Sequence, residues 1–488
     1  MRFSTFHQGR VFFGLLLLIS AFFFGACSLA PEYRRPASPV PENFHGAALS
    51  GKPLSGAPPS TEEALSPREV SLPGVEEFLP EPRLRALVSL AFQNNRDLKS
   101  SALAIEEALS RLGLAQAERL PALEASLRAD ISGSPNMERS ESYRSEIMIP
   151  SFELDFFGKF KNASLSARES LRAAEESHAA FKISLVKAVT IAYLEERLAL
   201  QKELLAENAV KSYRDALGFM ENRVISGEAS PLELEQARGQ VEFAVNEALR
   251  ERVAGIRTRG NLELLTGDYG EASLPAALDL LSWEPRVHAI PPRSEILLSR
   301  PDVAAAERAL IGAHYDIGAA RAAFFPSISL TAALGYMSPE LDSLIASDNS
   351  RWSLGPGLNL PLFKGGRNQR NLELAYLNRD KLALAYEKAI QSAFKETADA
   401  LRPREDLKNL VLARGKYLET RRKTLELAMN RYLSGAVGYL EVLEAQRGVF
   451  DAEKDLLEAK ADWIINSVNL YAALGGGADS EAPAEPER

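Results

Sequence analysis

"RYLSGAVGYLEVLEA" (residues 431–445) and "RVISGEASPLELEQA" (223–237) are two versions of one pattern. In each, an apolar-periodic run stops at a glycine and resumes with a leucine and a glutamate, Leu232 and Glu233 or Leu440 and Glu441. Aligned without a gap, 223–267 and 431–475 agree at 13 of 45 positions, among them Arg223/Arg431, Ser226/Ser434, Gly227/Gly435, Ala237/Ala445, Asn261/Asn469 and Gly267/Gly475. Further upstream, 96–121 and 301–326 agree at Asp97/Asp302, Ala104/Ala309, Ala108/Ala313, Gly113/Gly318 and Pro121/Pro326. The offset drifts only from 205 to 208, so the chain is an internal duplication with almost fixed spacing. A repeat of this kind decides the fold and is read before any single element.

Lengths come next. Lys159–Ile225 is rich in Ala, Leu, Glu and Lys and holds no proline and a single glycine, so it reads as one helix about 100 Å long. Arg367–Leu433 is its counterpart, although Pro403 should kink or break it. Shorter helical segments flank each, at about 84–120 and 230–265, then 295–325 and 438–474. End to end, each short pair matches one long helix, as in a long tube. In the last segment Val442, Val449, Leu456, Trp463 and Leu470 recur every seven residues, as do Leu443, Phe450, Leu457, Ile464 and Tyr471, with Ala445, Ala452 and Ala459 as a small-residue row. A seven-residue period is a coiled-coil seam.

Each copy also carries a β-like insert. In "ALEASLRADIS" (122–132), Leu123, Ala125, Leu127, Ala129 and Ile131 share one face and Glu124, Ser126, Arg128 and Asp130 the other. "SFELDFFG" (151–158), "SISLTAALGY" (327–336) and "WSLGPGLNLPLF" (352–363) complete two strand pairs. The alternation suits a tilted transmembrane strand and equally a soluble sandwich strand. Four strands cannot close a membrane barrel, and open edges are not tolerated in lipid, so the membrane reading requires several chains to share one barrel.

The N-terminus has Arg2 and Arg10, an apolar run from Val11 to Ala26, then Cys27. That run is short for a bilayer-spanning helix and reads as a secretory signal, residues 1–26. "FGAC" (24–27) resembles a bacterial lipobox, with Phe24 where leucine is usual, which makes Cys27 a candidate lipidation site. A plain signal with an incidental cysteine is the alternative. By resemblance to lipoproteins of two-membrane bacteria, Ser28 in place of aspartate points to the outer membrane. Cys27 is the sole cysteine, so there is no disulfide framework. A formal charge of −9 without a basic face argues against nucleic acid. Residues 27–83 read as a lipidated extended linker, with eleven prolines between 31 and 83. The first repeat is 84–270, a connector is 271–293, the second repeat is 294–476, and 477–488 is a disordered tail.

These features together resemble the TolC-like outer-membrane efflux proteins, in particular the lipoprotein branch that serves multidrug (RND-type) pumps. The resemblance rests on "CSLAPEYRRP" (27–36), "NNRDL" (94–98), "FELDFFGK" (152–159), "RPDVAAAERAL" (300–310), "FFPSISL" (324–330), "LPLFKGGRN" (360–368) and the two turns quoted first. It implies a mainly α fold with a small β part, duplicated helical hairpins, and a homotrimer whose twelve strands form one outer-membrane barrel above a helical tunnel. It also implies a periplasmic adaptor docking at the hairpin tips and an inner-membrane pump beyond it. Arg223, Gly227, Arg431, Tyr432 and Gly435 are then candidates for adaptor contact or a latch. Arg431 and Tyr432 can equally be helix-end packing. Glu441 and Glu444 match the family's paired acids at the tunnel entrance, three residues apart on one helix face. Asp451, Asp455, Glu458 and Asp462 would continue an electronegative inner wall, although most charge stripes are solvated outer faces. Val437 stands where the family can carry a basic latch, which argues against a salt-bridged closed state of that kind.

An enzyme finds no support: His45, His178, His288 and His314 are scattered, no nucleophile or phosphate-loop motif stands out, and no cofactor is expected. A periplasmic adaptor lipoprotein is the better rival, but it would have one hairpin nested in β-domains. Two equivalent hairpins with short strand pairs favour the channel. The cargo is not written in the sequence.

Overall fold

The computed structural model describes residues 28–44, 74, 78–79, 81–134, 137–270, 274–277, 279–284 and 293–476. The signal segment, Cys27 and the tail 477–488 lie outside the described residues. The chain runs α1 (Pro82–Asn94), α2 (Arg96–Ala117), β1 (Glu124–Ser134), β2 (Met137–Leu154), α3 (Lys159–Ile225) and α4 (Pro231–Thr266). It then repeats the plan with a 3-10 turn (Ser294–Ser299), α5 (Pro301–Ala322), β3 (Ser327–Ser338), β4 (Ser350–Asn359), α6 (Arg367–Leu401), α7 (Arg404–Leu433) and α8 (Tyr439–Ala473). The second long helix is therefore broken where Pro403, which has no N–H to donate, caps the start of α7. Its counterpart α3 is continuous over 67 residues.

The chain divides into two compact units, each drawing on both repeats. The described part of one lies within residues 28–37, 103–176 and 304–388. It holds a four-stranded antiparallel sheet of order β1-β2-β3-β4. The register lines up Ala125, Ile147, Leu334 and Trp352 across one face, and Ser126, Glu146, Gly335 and Arg351 across the other. Ile147, Leu334 and Trp352 are all exposed, Trp352 at 78%. The strand expected at 151–158 is displaced: β2 ends at Leu154 and extends back to Met137. Its early residues carry charge on both faces and so show no apolar alternation. Pro150 falls where the β2–β3 register shifts, between Ile149 and Phe152, a tolerated place for proline in a sheet.

The linker begins docked rather than loose. The Ser28 hydroxyl donates to Asn162 Oδ1 (2.7 Å), and Arg321 donates to the Leu29 carbonyl (3.0 Å). Tyr33 donates to Glu307 (2.8 Å), and Arg35 grips the same carboxylate with two bonds of 2.7 and 2.8 Å. Residues 28–37 thus form a strap on the sheet-bearing unit.

The described part of the other unit lies within residues 38–102, 177–303 and 389–476. Its largest core gathers Leu79, Leu84, Val189, Tyr193, Leu194 and Ile464, with Phe78 stacked on Tyr471 at 3.9 Å. Most heptad positions of α8 are buried, namely Val442, Leu443, Phe450, Leu457, Trp463, Ile464, Leu470 and Tyr471, with Ala445, Ala452 and Ala459, whereas Val449 and Leu456 are half-buried. The single short helices expected at 84–120 and 295–325 are each interrupted, at Asn95 and at Arg300, which are equivalent positions of the two repeats. Both side chains reach the end of the last helix of their own repeat. Asn95 Nδ2 donates to the Leu265 carbonyl (2.9 Å) and Arg300 Nη1 to the Ala473 carbonyl (2.7 Å). Carbonyls at a helix C-terminus lack intrahelical partners, and these contacts supply them. Arg300 is buried and also forks onto Asp302 (2.7 and 3.0 Å) and reaches Glu396 (2.8 Å). Arg300→Ala should therefore cost about 2–3 kcal/mol. Arg300→Lys should recover only part of that, because an ammonium cannot reproduce the fork. Thermal unfolding followed by circular dichroism checks this, and an unchanged melting temperature in the alanine variant would contradict it.

Candidate functional site

The two glycine turns, at Gly227 and Gly435, close in the same way. These glycines have φ of +79° and +74°, a left-handed conformation that favours glycine. Glu228 N donates to the Arg223 carbonyl (2.8 Å) and Ala436 N to the Arg431 carbonyl (2.9 Å), the six-to-one bond that ends a helix on such a glycine. A Cβ on either glycine would meet open space, so backbone conformation, not crowding, selects the residue.

The helices that leave the two turns start differently. In the first repeat Ser230 is the N-cap of α4. Its hydroxyl accepts from Glu233 N (3.3 Å), and Ser230 N donates back to the Glu233 carboxylate (2.8 Å), a complete capping box. The bond from the Ser230 amide, foremost among several, holds the Glu233 carboxyl below its usual range. In the second repeat the equivalent of Ser230 is Gly438, which offers no side chain. Glu441 is thereby released from capping and pairs with Arg431 across the turn at 2.9 Å. Glu444 lies one turn along, exposed on the same face. The tip does hold an ion pair, then, though it is made by Arg431 rather than from position 437.

Tyr432 is packed, not projecting. It is 6% exposed, in a cluster with Met220, Ala237, Tyr439, Val442 and Leu443, and its ring lies 5.3 Å from that of Tyr439. Burial pushes the Tyr439 phenol up to about 12. The Arg223 guanidinium sits over the Tyr432 ring at 5.1 Å and reaches Glu228 at 3.5 Å. Arg223 and Tyr432 thus join the two hairpin ends to each other. Sequence reasoning missed the apolar residues beside the turns. Ile225 and its equivalent Leu433 are 85% and 62% exposed, and Leu232 and Leu440 are 68% and 52% exposed. The signal was present, since both pairs stay apolar in both repeats.

The expected acidic line along α8 is interrupted. Arg414 of α7 pairs with Asp455, and Lys202 of α3 pairs with Glu458. Glu444, Asp451 and Asp462 remain without an ion pair among the described residues. Desolvation by neighbouring atoms, foremost, raises the carboxyls of Asp451 and Asp462 above the ordinary aspartate range, although both side chains stay exposed.

Among the described residues no helix is long and apolar enough to cross a membrane. Residues 87–268 and 293–476 each match the family model described as "Outer membrane efflux protein". The chain belongs to that family. It is 37% identical over 468 residues to the probable outer membrane lipoprotein SilC of Salmonella typhimurium, covering 95% of this chain and 98% of the relative. It is 38% identical over 456 residues to the cation efflux system protein CusC of Escherichia coli K12, covering 92% and 96%. The open state of the Neisseria gonorrhoeae MtrE outer membrane channel superposes with a TM-score of 0.83 at 32% identity, covering 93% of this chain and 99% of that one. The protein is an outer-membrane efflux channel of a Gram-negative bacterium, and the adaptor alternative is set aside. Membership in a family of transport channels implies an adaptor and a pump as partners.

The raised carboxyls carry a sign. A carboxyl whose folded pKa lies above its unfolded value costs stability when charged, and that cost disappears as pH falls through the folded pKa and on to the unfolded one. An Asp451→Asn/Asp462→Asn variant should therefore melt higher than the parent at pH 7.5, and the gap should close on acidification toward pH 4. Paired melts across that range test it, and a gap that widens on acidification would refute the assignment.

Proposed function

We propose that three copies of this chain close one twelve-stranded barrel in the outer membrane and form the exit duct of a tripartite efflux system, with an adaptor at the hairpin tips and an inner-membrane pump behind it. The observation that carries this is the sheet. Both edge strands, β1 and β4, have no strand partner on their outer side among the described residues, and an apolar row crosses one face. Lipid admits neither open edges nor barrels below eight strands, and repetition of the chain removes both problems. Cys27, by resemblance, carries the acyl anchor in outer-membrane lipid. The two repeats at 84–270 and 294–476 are each a working hairpin unit, with 271–293 joining them. The chain conducts and carries out no catalytic step.

Glu441 and Glu444 ring the tunnel entrance in this reading, six carboxylates in two tiers, and Arg431 holds the member of each pair nearer the tip. Rings of carboxylate favour cations. Cations are also the cargo that the name of CusC states, and we extend that class to this chain. Adaptor contact falls to Gly227 and Gly435 with the exposed Ile225, Leu232, Leu433 and Leu440 around them. Planar-bilayer recording of the purified protein beside Glu441→Gln/Glu444→Gln tests the duct. The parent should give discrete cation-preferring steps, and the variant should lose much of that preference. Absence of conductance in both, with monomers in detergent, would overturn the reading.

A further inference from the structure

We infer that a cavity at the helix-side ends of β2, β3 and β4 binds the headgroup of a membrane phospholipid, and that it takes a headgroup joining a phosphate to a primary ammonium, as in phosphatidylethanolamine. The inference rests on the reading that the sheet lies in the membrane, and adds a lipid that the protein selects.

The three strands end together. Leu154 of β2 pairs with Ile328 of β3, and Ser327 of β3 pairs with Asn359 of β4. Beside these ends, within the sheet-bearing unit, lies a cavity of about 270 Å³ whose walls include Glu153, Asp155, Phe157, Lys159, Phe325 and Lys364. It is small for a drug-sized ligand and suits a headgroup better than a whole lipid. The Phe157 and Phe325 rings stack at 4.6 Å and give it an apolar wall. Around it Phe324, Leu360, Leu362 and Phe363 are exposed, Leu362 at 89% and Phe363 at 88%. Aromatic and apolar side chains gathered at strand ends mark the level where hydrocarbon gives way to headgroups.

The charges of the cavity are of both signs. Lys159 Nζ is already engaged, donating to both Glu153 oxygens at 3.2 and 3.1 Å. Asp155 is half engaged: Oδ2 accepts from Lys161 N at 2.7 Å, whereas Oδ1 has no hydrogen-bond partner. Lys364 is exposed and has no ion pair among the described residues. The site therefore offers an anion one uncommitted ammonium and offers a donor one unserved carboxylate oxygen. A carboxylate oxygen without a donor is costly, so a ligand that supplies one gains by it.

The internal repeat shows how Lys364 came to stand there. Phe157 and Phe363 correspond at an offset of 206, and Gly158 and Gly366 at an offset of 208. Both glycines have positive φ and accept the first helical bonds, from Asn162 N and Arg370 N. The second repeat thus carries two extra residues before its glycine, Lys364 and Gly365, and Gly365 also has a positive φ of +58°. The insertion sets an ammonium directly after two exposed apolar residues, which in a membrane is the depth of the lipid phosphates.

A headgroup with a phosphate and a primary ammonium answers both needs. The phosphate suits Lys364, and the ammonium brings N–H donors to Glu153 and Asp155. A choline headgroup carries the same charges but has no N–H. A phosphoglycerol headgroup has no cation and would set its anion beside two carboxylates.

Native mass spectrometry of the purified full-length protein in detergent, with short-chain phosphatidylethanolamine, phosphatidylcholine or phosphatidylglycerol added, tests the site. The ethanolamine lipid should bind at least ~tenfold more tightly than the choline lipid, the scale of one charged hydrogen bond. Asp155→Asn should abolish that preference, and Lys364→Gln should weaken binding of both lipids. Lys364 is exposed, so its variant decides the matter if Asp155→Asn fails to fold. Arg370→Gln, which removes a base already paired with Glu373, should leave the preference intact. Equal binding of the three lipids, a preference for phosphatidylglycerol, or a Lys364→Gln variant that binds like the parent would overturn the site and leave the membrane reading standing. Binding of free phosphoethanolamine without binding of the lipid would overturn it too. A protein that binds no lipid and stays soluble without detergent would bring down the membrane reading and the site with it.

Discussion

A peptide N–H or C=O inside hydrocarbon has no water to turn to, and each one left unpaired costs several kcal/mol. That constraint governs this chain. Four strands satisfy one another in the interior of the sheet and leave two edges without a strand partner among the described residues.

Duplication gives the chain two of everything and lets the copies diverge where backbone geometry is already secure. Gly227 and Gly435 end their helices by the same bond, so the residues after them are free to differ. A serine in one copy binds the next glutamate into a cap, while a glycine in the other sets the equivalent glutamate loose to meet an arginine. The same logic holds at Asn95 and Arg300, where an amide and a guanidinium perform one task on equivalent helix ends.

The duplication, the long helices, the tip turns and the heptad rows of α8 were legible because each is written in local periodicity or in glycine placement. Other features are made by partners distant in sequence. Nothing near Asn95 breaks a helix; its side chain is drawn to a carbonyl 170 residues away. The first half of β2 hid because Arg144 and Glu146 share one face while Glu141 and Tyr143 share the other, so no apolar alternation marks it. Pro150 then disguised the rest as a boundary. The acidic line on α8 was visible as a line, but Arg414 and Lys202, which neutralise two of its members, come from other helices. For Tyr432 the sequence left tip contact and helix-end packing equally open, and the facing Met220 and Tyr439 show that it is core.

The strap carries a consequence for depth in the membrane. Ser28 is held on Asn162, in the first turn of the helix that leaves the sheet, and Arg35 grips Glu307 with two bonds. Consecutive Cα atoms are about 3.8 Å apart, so a fatty chain carried on the residue before Ser28 would hang from a mooring one residue long. Such an anchor cannot let out line. With an anchor of that kind, a bilayer thicker or thinner than the sheet prefers would meet mismatch mainly by deforming around the protein.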